Sequence, residues 1–337
     1  MKKTALVCML ALLMAGSLFA GGQTEASSGA AVKPTILKVG LNNPITHPLD
    51  QGIVKFGEIL KEKSGGRYEL QIFPGGQLGK PAVHLQSLQS GVLDMTMIMP
   101  ATLADYGAKD LKVFTLPYLF ESVAHARAFQ KTEAGQKLFD SIQTSGTRMV
   151  AIGSYQESAR HYFFTKKKVT RVADMKGMKI RSNEGAIALE NMASLGTNPV
   201  SIAFTELYSA LQTGIVDGAE QPLSGFYNNQ FHEVAKYMVL DGHELSPNIV
   251  LFSEITWNKL SSEDQKLIKA CFAESVPYFN QLSDSEDSVL MKKILAAGVE
   301  VYEPADPSEW RAAVKSVYDK YGTEYAATIE QIINTTY

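Results

Sequence analysis

Two arginines have the type and placement to hold an anion. Arg181 ends residues 178–181, a short run that alternates as a strand, and in open α/β sheets ligands sit beyond the carboxyl ends of the strands. A guanidinium there presents a planar fork of donors that matches a carboxylate in two parallel hydrogen bonds. The same spacing suits a surface salt bridge equally well. Arg160, in Glu157-Ser158-Ala159-Arg160-His161, follows a strand ending at Ser154, where a solvated loop arginine is the plainer reading. Covalent and metal chemistry find no constellation. There is no Gly-x-Ser-x-Gly, no Gly-x-Gly-x-x-Gly and no glycine loop closing on Lys-Ser/Thr. His232-Glu233 and His243-Glu244 open like a zinc helix, but Lys236 and Pro247 stand where the second histidine is needed. The expectation is therefore no catalytic residue, no metal and no cofactor.

The elements that must position these groups are read from periodicity. Residues 35–41 (TILKVGL) make a strand broken by Asn42-Asn43-Pro44, residues 49–63 a helix ended by Ser64-Gly65-Gly66, and residues 68–73 a second strand stopped at Pro74-Gly75-Gly76. A helix over 81–90 leads to 93–99 (LDMTMIM), apolar enough for a strand buried on both faces, which points to a parallel sheet. The grammar recurs, with strands at 148–154, 178–181 and 215–219 and helices at 184–194 and 201–212. Two α/β units are visible. From 262 to about 297 the pattern stays helical, interrupted only by Pro277, long enough to lie across both units. The methionines of 95–99 read as flexible core filling, and no internal repeat is apparent.

The start of the chain reads as an export signal: Lys2 and Lys3, an apolar stretch from Ala5 to Leu13, then Leu18-Phe19-Ala20 as a small-residue cleavage site. Residues 1–20 are assigned to the signal peptide and 21–33 to a flexible leader. No cysteine stands at the cleavage site, so a soluble periplasmic form is favoured over a lipid-anchored one. Removal of Cys8 leaves Cys271 alone and stability to the core. A net charge of −3 with interspersed signs supplies no basic stripe for nucleic acid and no membrane patch.

Five segments, in this order and spacing, resemble the substrate-binding proteins of tripartite ATP-independent periplasmic (TRAP) transporters, the DctP family. They are FPGGQLG at 73–79, residues 88–95 with Gly91 and Asp94, Leu116-Pro117-Tyr118, ADMKGMKIR at 173–181 and ALQTGIVDGAE at 210–220. The resemblance implies an α/β fold: a two-domain periplasmic binding protein with hinge strands and a long helix spanning both domains. It divides the chain into residues 34–157 with 247–286 for domain I, and 158–246 with 287–337 for domain II. Arg181 becomes the arginine that pairs with a substrate carboxylate and Arg160 a second basic contact. Gln221 stands where the family commonly has Asn. Further ligand-binding candidates by position are Asn42 and His47 after the first strand, Phe204, Tyr227 and Glu157.

The function so implied is capture of a small organic acid by a monomer and its delivery to TRAP membrane permease subunits, without catalysis. Acidic sugars such as uronates or aldonates are favoured, because Asn42, His47, Gln221 and Glu157 suit hydroxyls, and Met97, Ile98 and Met99 argue against sialic acid. A C4-dicarboxylate or keto acid is the alternative. A periplasmic sensor partner and a hydrolase stand further off.

Overall fold

The computed structural model describes residues 33–182 and 185–337; the export signal and nearly all of the leader lie outside them. The chain builds two sheets. The first has the order β2-β1-β3-β10-β4, with β1 Thr35–Gly40, β2 Tyr68–Phe73, β3 Met95–Ile98, β4 Met149–Gln156 and β10 Pro247–Ser253. The second has the order β11-β9-β5-β8-β6-β7, with β5 Arg160–Phe164, β6 Lys179–Ser182, β7 Asn198–Ser201, β8 Gly218–Gln221, β9 Tyr237–Glu244 and β11 Glu300–Tyr302. Each is the centre of one lobe. The chain crosses from the first sheet to the second between β4 and β5, and returns between β9 and β10.

The sheets are mixed rather than parallel. β1 runs parallel to β2 and β3, but β10 is antiparallel to β3 and β4, and β5 is antiparallel to β8 and β9. Those reversed strands are the ones that carry the crossings: a strand arriving from the other lobe enters at the end where its neighbours finish. Two boundaries also shift. The helix expected over 201–212 starts later: Ser201 closes edge strand β7, which accommodates Pro199, and a 3-10 turn at Phe204–Glu206 leads into the helix Leu207–Gln212. The strand expected at 215–219 begins only at Gly218, with Ile215 exposed.

The two lobes share a construction device that corrects the expectation of no repeat. Leu88-Gln89-Ser90-Gly91-Val92-Leu93-Asp94 and Leu211-Gln212-Thr213-Gly214-Ile215-Val216-Asp217 have the same pattern. Gly91 and Gly214 take φ of 74° and 73°, the left-handed turn that ends a helix. Each Asp then grips the neighbouring strand twice. Asp94 accepts the Lys38 amide at 2.8 Å and gives its own amide to the Lys38 carbonyl; Asp217 does the same with Lys179, also at 2.8 Å.

One helix, Ser262–Ala296, spans both lobes; its 35 residues reach about 52 Å at 1.5 Å per residue. Its first half buries Ile268, Phe272 and Phe279 in the core of the first lobe, and its last turns bury Leu290 and Ile294 in that of the second. The C-terminal helices touch both: Tyr318 donates to the Pro117 carbonyl and Lys320 pairs with Glu190.

Candidate functional site

Between the lobes lies a cleft with about 800 Å³ of empty space, part of it open to solvent, within the usual range for small-molecule sites. It sits where β1, β3, β6 and β8 end. Of the residues singled out from sequence, Arg181, Arg160, Gln221, Asn42, His47, Phe204 and Glu157 line it. Tyr227 does not: it lies further along the helix Leu223–Asn228, its ring stacked on His232 at 4.5 Å. Sequence reasoning missed Asn43 and Asn248 on the wall. Of the methionines read as core filling, Met95 and Met97 are buried in the first lobe's core, and Met97 and Met99 also line the cleft.

Arg181, Gln221 and Arg160 come from neighbouring strands β6, β8 and β5, so the second sheet presents all three at one edge. Arg181 is 3 % exposed; its Nε donates to the Ile202 carbonyl at 2.8 Å and its guanidinium lies 6.0 Å from the centre of the Phe204 ring. These contacts fix the plane of the fork. Gln221 is held as closely, because Gly225 leaves room for it: a Cβ there would stand 2.5 Å from Gln221 Oε1.

Arg160 is neither loop nor solvated. It opens β5, buried, with Nε in an ion pair with Glu220 and Nη2 donating to the Glu220 carbonyl at 3.1 Å. Behind Glu220 stands His243, whose Nδ1 meets Asp241 at 2.8 Å and whose ring stacks on Tyr162. Burial works against charge on Arg160 and His243, but the surrounding carboxylates outweigh it and raise both pKa values. Burial raises the pKa of Glu244 beside them. Glu220 immediately precedes Gln221 in sequence, yet nothing in its spacing reveals the pairing, which exists only once β5 and β8 lie side by side.

The other wall is built on the β1 turn. His47 caps the helix Pro48–Lys63, its Nδ1 accepting the Leu49 amide at 3.3 Å. The ring proton therefore sits on Nε2, 3.7 Å from Glu157 Oε1. Burial lowers the His47 pKa to about 3, so the ring is neutral. Glu157 lies on the crossing from β4 to β5. Ser224 Oγ donates to it from the second lobe at 2.7 Å and Asn248 Nδ2 from the first at 3.0 Å. Burial raises its pKa, while Ser224, Arg160 and Asn248 favour the ionised form. Asp50, one turn into the helix after His47, is fully buried and its pKa is raised to about 8 by burial. Asn43 works against that shift and the charge of Glu157 adds to it.

The lobes also touch across the mouth of the cleft. Lys80 pairs with Glu206, Asn229 Nδ2 reaches Asn43 Oδ1 at 3.4 Å, and the Thr205 methyl would stand 2.8 Å from a Cβ on Gly76. Among the described residues no helix is long and apolar enough to cross a membrane.

Residues 39–324 match the family described as bacterial extracellular solute-binding protein, family 7. A TRAP periplasmic solute-binding protein of Pseudomonas putida F1, solved with bound D-glucuronate, is 30 % identical. It superposes with a TM-score of 0.86 over 90 % of this chain and 98 % of its own. One from a Bradyrhizobium species, in complex with α/β-D-galacturonate, is 29 % identical with a TM-score of 0.85 over 88 % and 99 %. The C4-dicarboxylate-binding periplasmic protein DctP of Rhodobacter capsulatus is 26 % identical over 88 % of this chain and 90 % of its own.

Proposed function

Because the chain belongs to the bacterial extracellular solute-binding proteins of family 7, we propose that its cleft captures a sugar acid of the uronate or aldonate kind and presents it to the membrane permease of a TRAP transporter. The observation that carries this reading is the pairing of two unlike walls. Arg181, oriented by Ile202 and Phe204, offers a carboxylate two parallel bonds, with Arg160 as a second basic contact. Around them Gln221, Asn42, Asn43, Asn248, the Nε2 proton of His47 and the acceptors of Glu157 supply a set suited to several hydroxyls. The uronates bound to the two similar solved proteins support the same class.

In this reading residues 34–157 with 247–286 and residues 158–246 with 287–337 rotate as bodies about the two strand crossings, with the helix Ser262–Ala296 as the third link between them, closing on ligand. The protein works as an exported periplasmic monomer, its signal peptide cut near Ala20, and binds its acid without converting it or using a cofactor. The likeness to DctP favours the second reading, a C4-dicarboxylate. Calorimetric titration with D-glucuronate, D-gluconate and succinate separates them: sugar acids bind and succinate does not. Tight succinate binding with no response to either sugar acid overturns the proposal. Arg181→Lys, which keeps the charge but not the fork, should lose about tenfold or more in affinity for the sugar acid, the loss of a charge-assisted hydrogen bond worth about 1.5–3 kcal/mol.

A further inference from the structure

We infer that Glu157 is a charge filter: it admits the hydroxylated end of a monocarboxylate sugar acid and turns away acids that carry a second carboxylate. The inference rests on the sugar-acid reading and narrows it. Glu157 precedes β5, and Arg181 lies on β6, two strand spacings or about 10 Å across the sheet. A ligand whose carboxylate sits on Arg181 and whose chain runs past Gln221 brings its other end to Glu157. There the two ends of a sugar acid meet opposite chemistry. Ser224 and Asn248 each donate to one oxygen of Glu157, which fixes the group as an acceptor in place. Burial pushes the Glu157 pKa up, and Ser224, Arg160 and Asn248 hold it towards the ionised, accepting form; a hydroxyl supplies the proton such an acceptor needs, whereas a carboxylate brings only further acceptors and a like charge.

Among the described residues lining the cleft, no further cation is left to offset that second charge. Arg160 is the basic group there, but Glu220 holds it by both side chain and carbonyl and Glu157 also draws on its charge, so one carboxylate of the ligand at most finds it and a second does not. His47 has a proton for a hydroxyl oxygen or for Glu157 but stays neutral, and the neighbouring Asp50 adds only acid. Rejection therefore comes from a repulsive element built into the wall, not from size, since the terminal groups of D-gluconate and D-glucarate differ chiefly in charge.

The test titrates wild type, Glu157→Gln and Glu157→Asp with D-gluconate and D-glucarate, alike except for a hydroxymethyl or carboxylate terminus. Wild type should prefer gluconate by about a hundredfold, and Glu157→Gln should reduce that preference by at least about tenfold while binding glucarate more tightly in absolute terms. Glu157→Asp, which retains the charge, should still refuse glucarate. Melting curves establish that each variant is folded. Equal weakening of both acids in folded Glu157→Gln, or wild type binding glucarate as well as gluconate, overturns the filter while leaving the sugar-acid reading intact. Wild type that binds neither of these acids nor D-glucuronate overturns both.

Discussion

Asp50 has no solvent exposure, and neither of its oxygens meets a well-formed hydrogen bond despite the nearby Asn43. With the folded pKa raised from 3.8 to about 8, the folded protein keeps a proton that the unfolded chain has released. Stability therefore falls as pH rises between these two values, by up to about 1.4 kcal/mol per unit, and this group adds no further slope above them. Asp50→Asn removes the slope. Melting temperatures of the two proteins should draw apart as pH is raised from 5 to 8, the variant being the more stable at the top; parallel curves would show that Asp50 is ionised throughout. At this scale the position of Arg181 at the end of β6, lining the cleft, was legible, because a strand end and a side-chain type define it locally. It did not disclose Glu220, Ser224 or Asn248, whose meaning depends on partners 60 or more residues away. Tyr227 failed for a related reason: helix rise carries it away from the end that bears Ser224, and an aromatic near a site-forming strand does not reveal which way the helix leaves.

The elements themselves were legible wherever their periodicity was long. The helix Ser262–Ala296 was readable almost to the residue despite Pro277, and the first β-α-β unit likewise. What escaped were strands β5, β9, β10 and β11, and with β5 and β10 the reversed direction, since direction in a sheet is set by where the chain has come from and not by its pattern. The repeated helix-glycine-aspartate device escaped too, because seven residues at a separation of 123 look like coincidence until both aspartates are seen gripping a strand. The device has a measurable worth. Asp217→Ala removes the carboxylate that accepts the Lys179 amide, two residues before Arg181 on β6, and should cost about 1.5–3 kcal/mol in urea unfolding with an unchanged m-value. Asp94→Ala in the other lobe should cost a similar amount and leave ligand affinity untouched, whereas Asp217→Ala should weaken binding as well; identical effects of the two on affinity would count against the assignment.

At the scale of the whole molecule, the loop 74–79 meets the other lobe at Gly76. Gly76 has φ of 71° and stands against Thr205, so Gly76→Ala meets both backbone strain and a methyl across the cleft. The strain acts in every state, the clash only in the closed one. Ligand affinity should fall at least about fivefold, the effect of roughly 1 kcal/mol against the binding-competent form. Solution scattering should show a larger radius of gyration at saturating ligand than in wild type; unchanged affinity in a folded variant would mean that closure does not bring these two residues together. The sheet order carries a different consequence, one of timing. In the first sheet β10 lies between β3 and β4, although 90 residues separate the end of β4 from the start of β10. Until residue 253 has left the ribosome, β4 has no strand to pair with and β3 keeps an open edge. Contacts this distant in sequence form slowly. The strand that completes the first lobe is thus among the last to be made, and a chain whose first half must wait for its final third stays threadable for most of its synthesis.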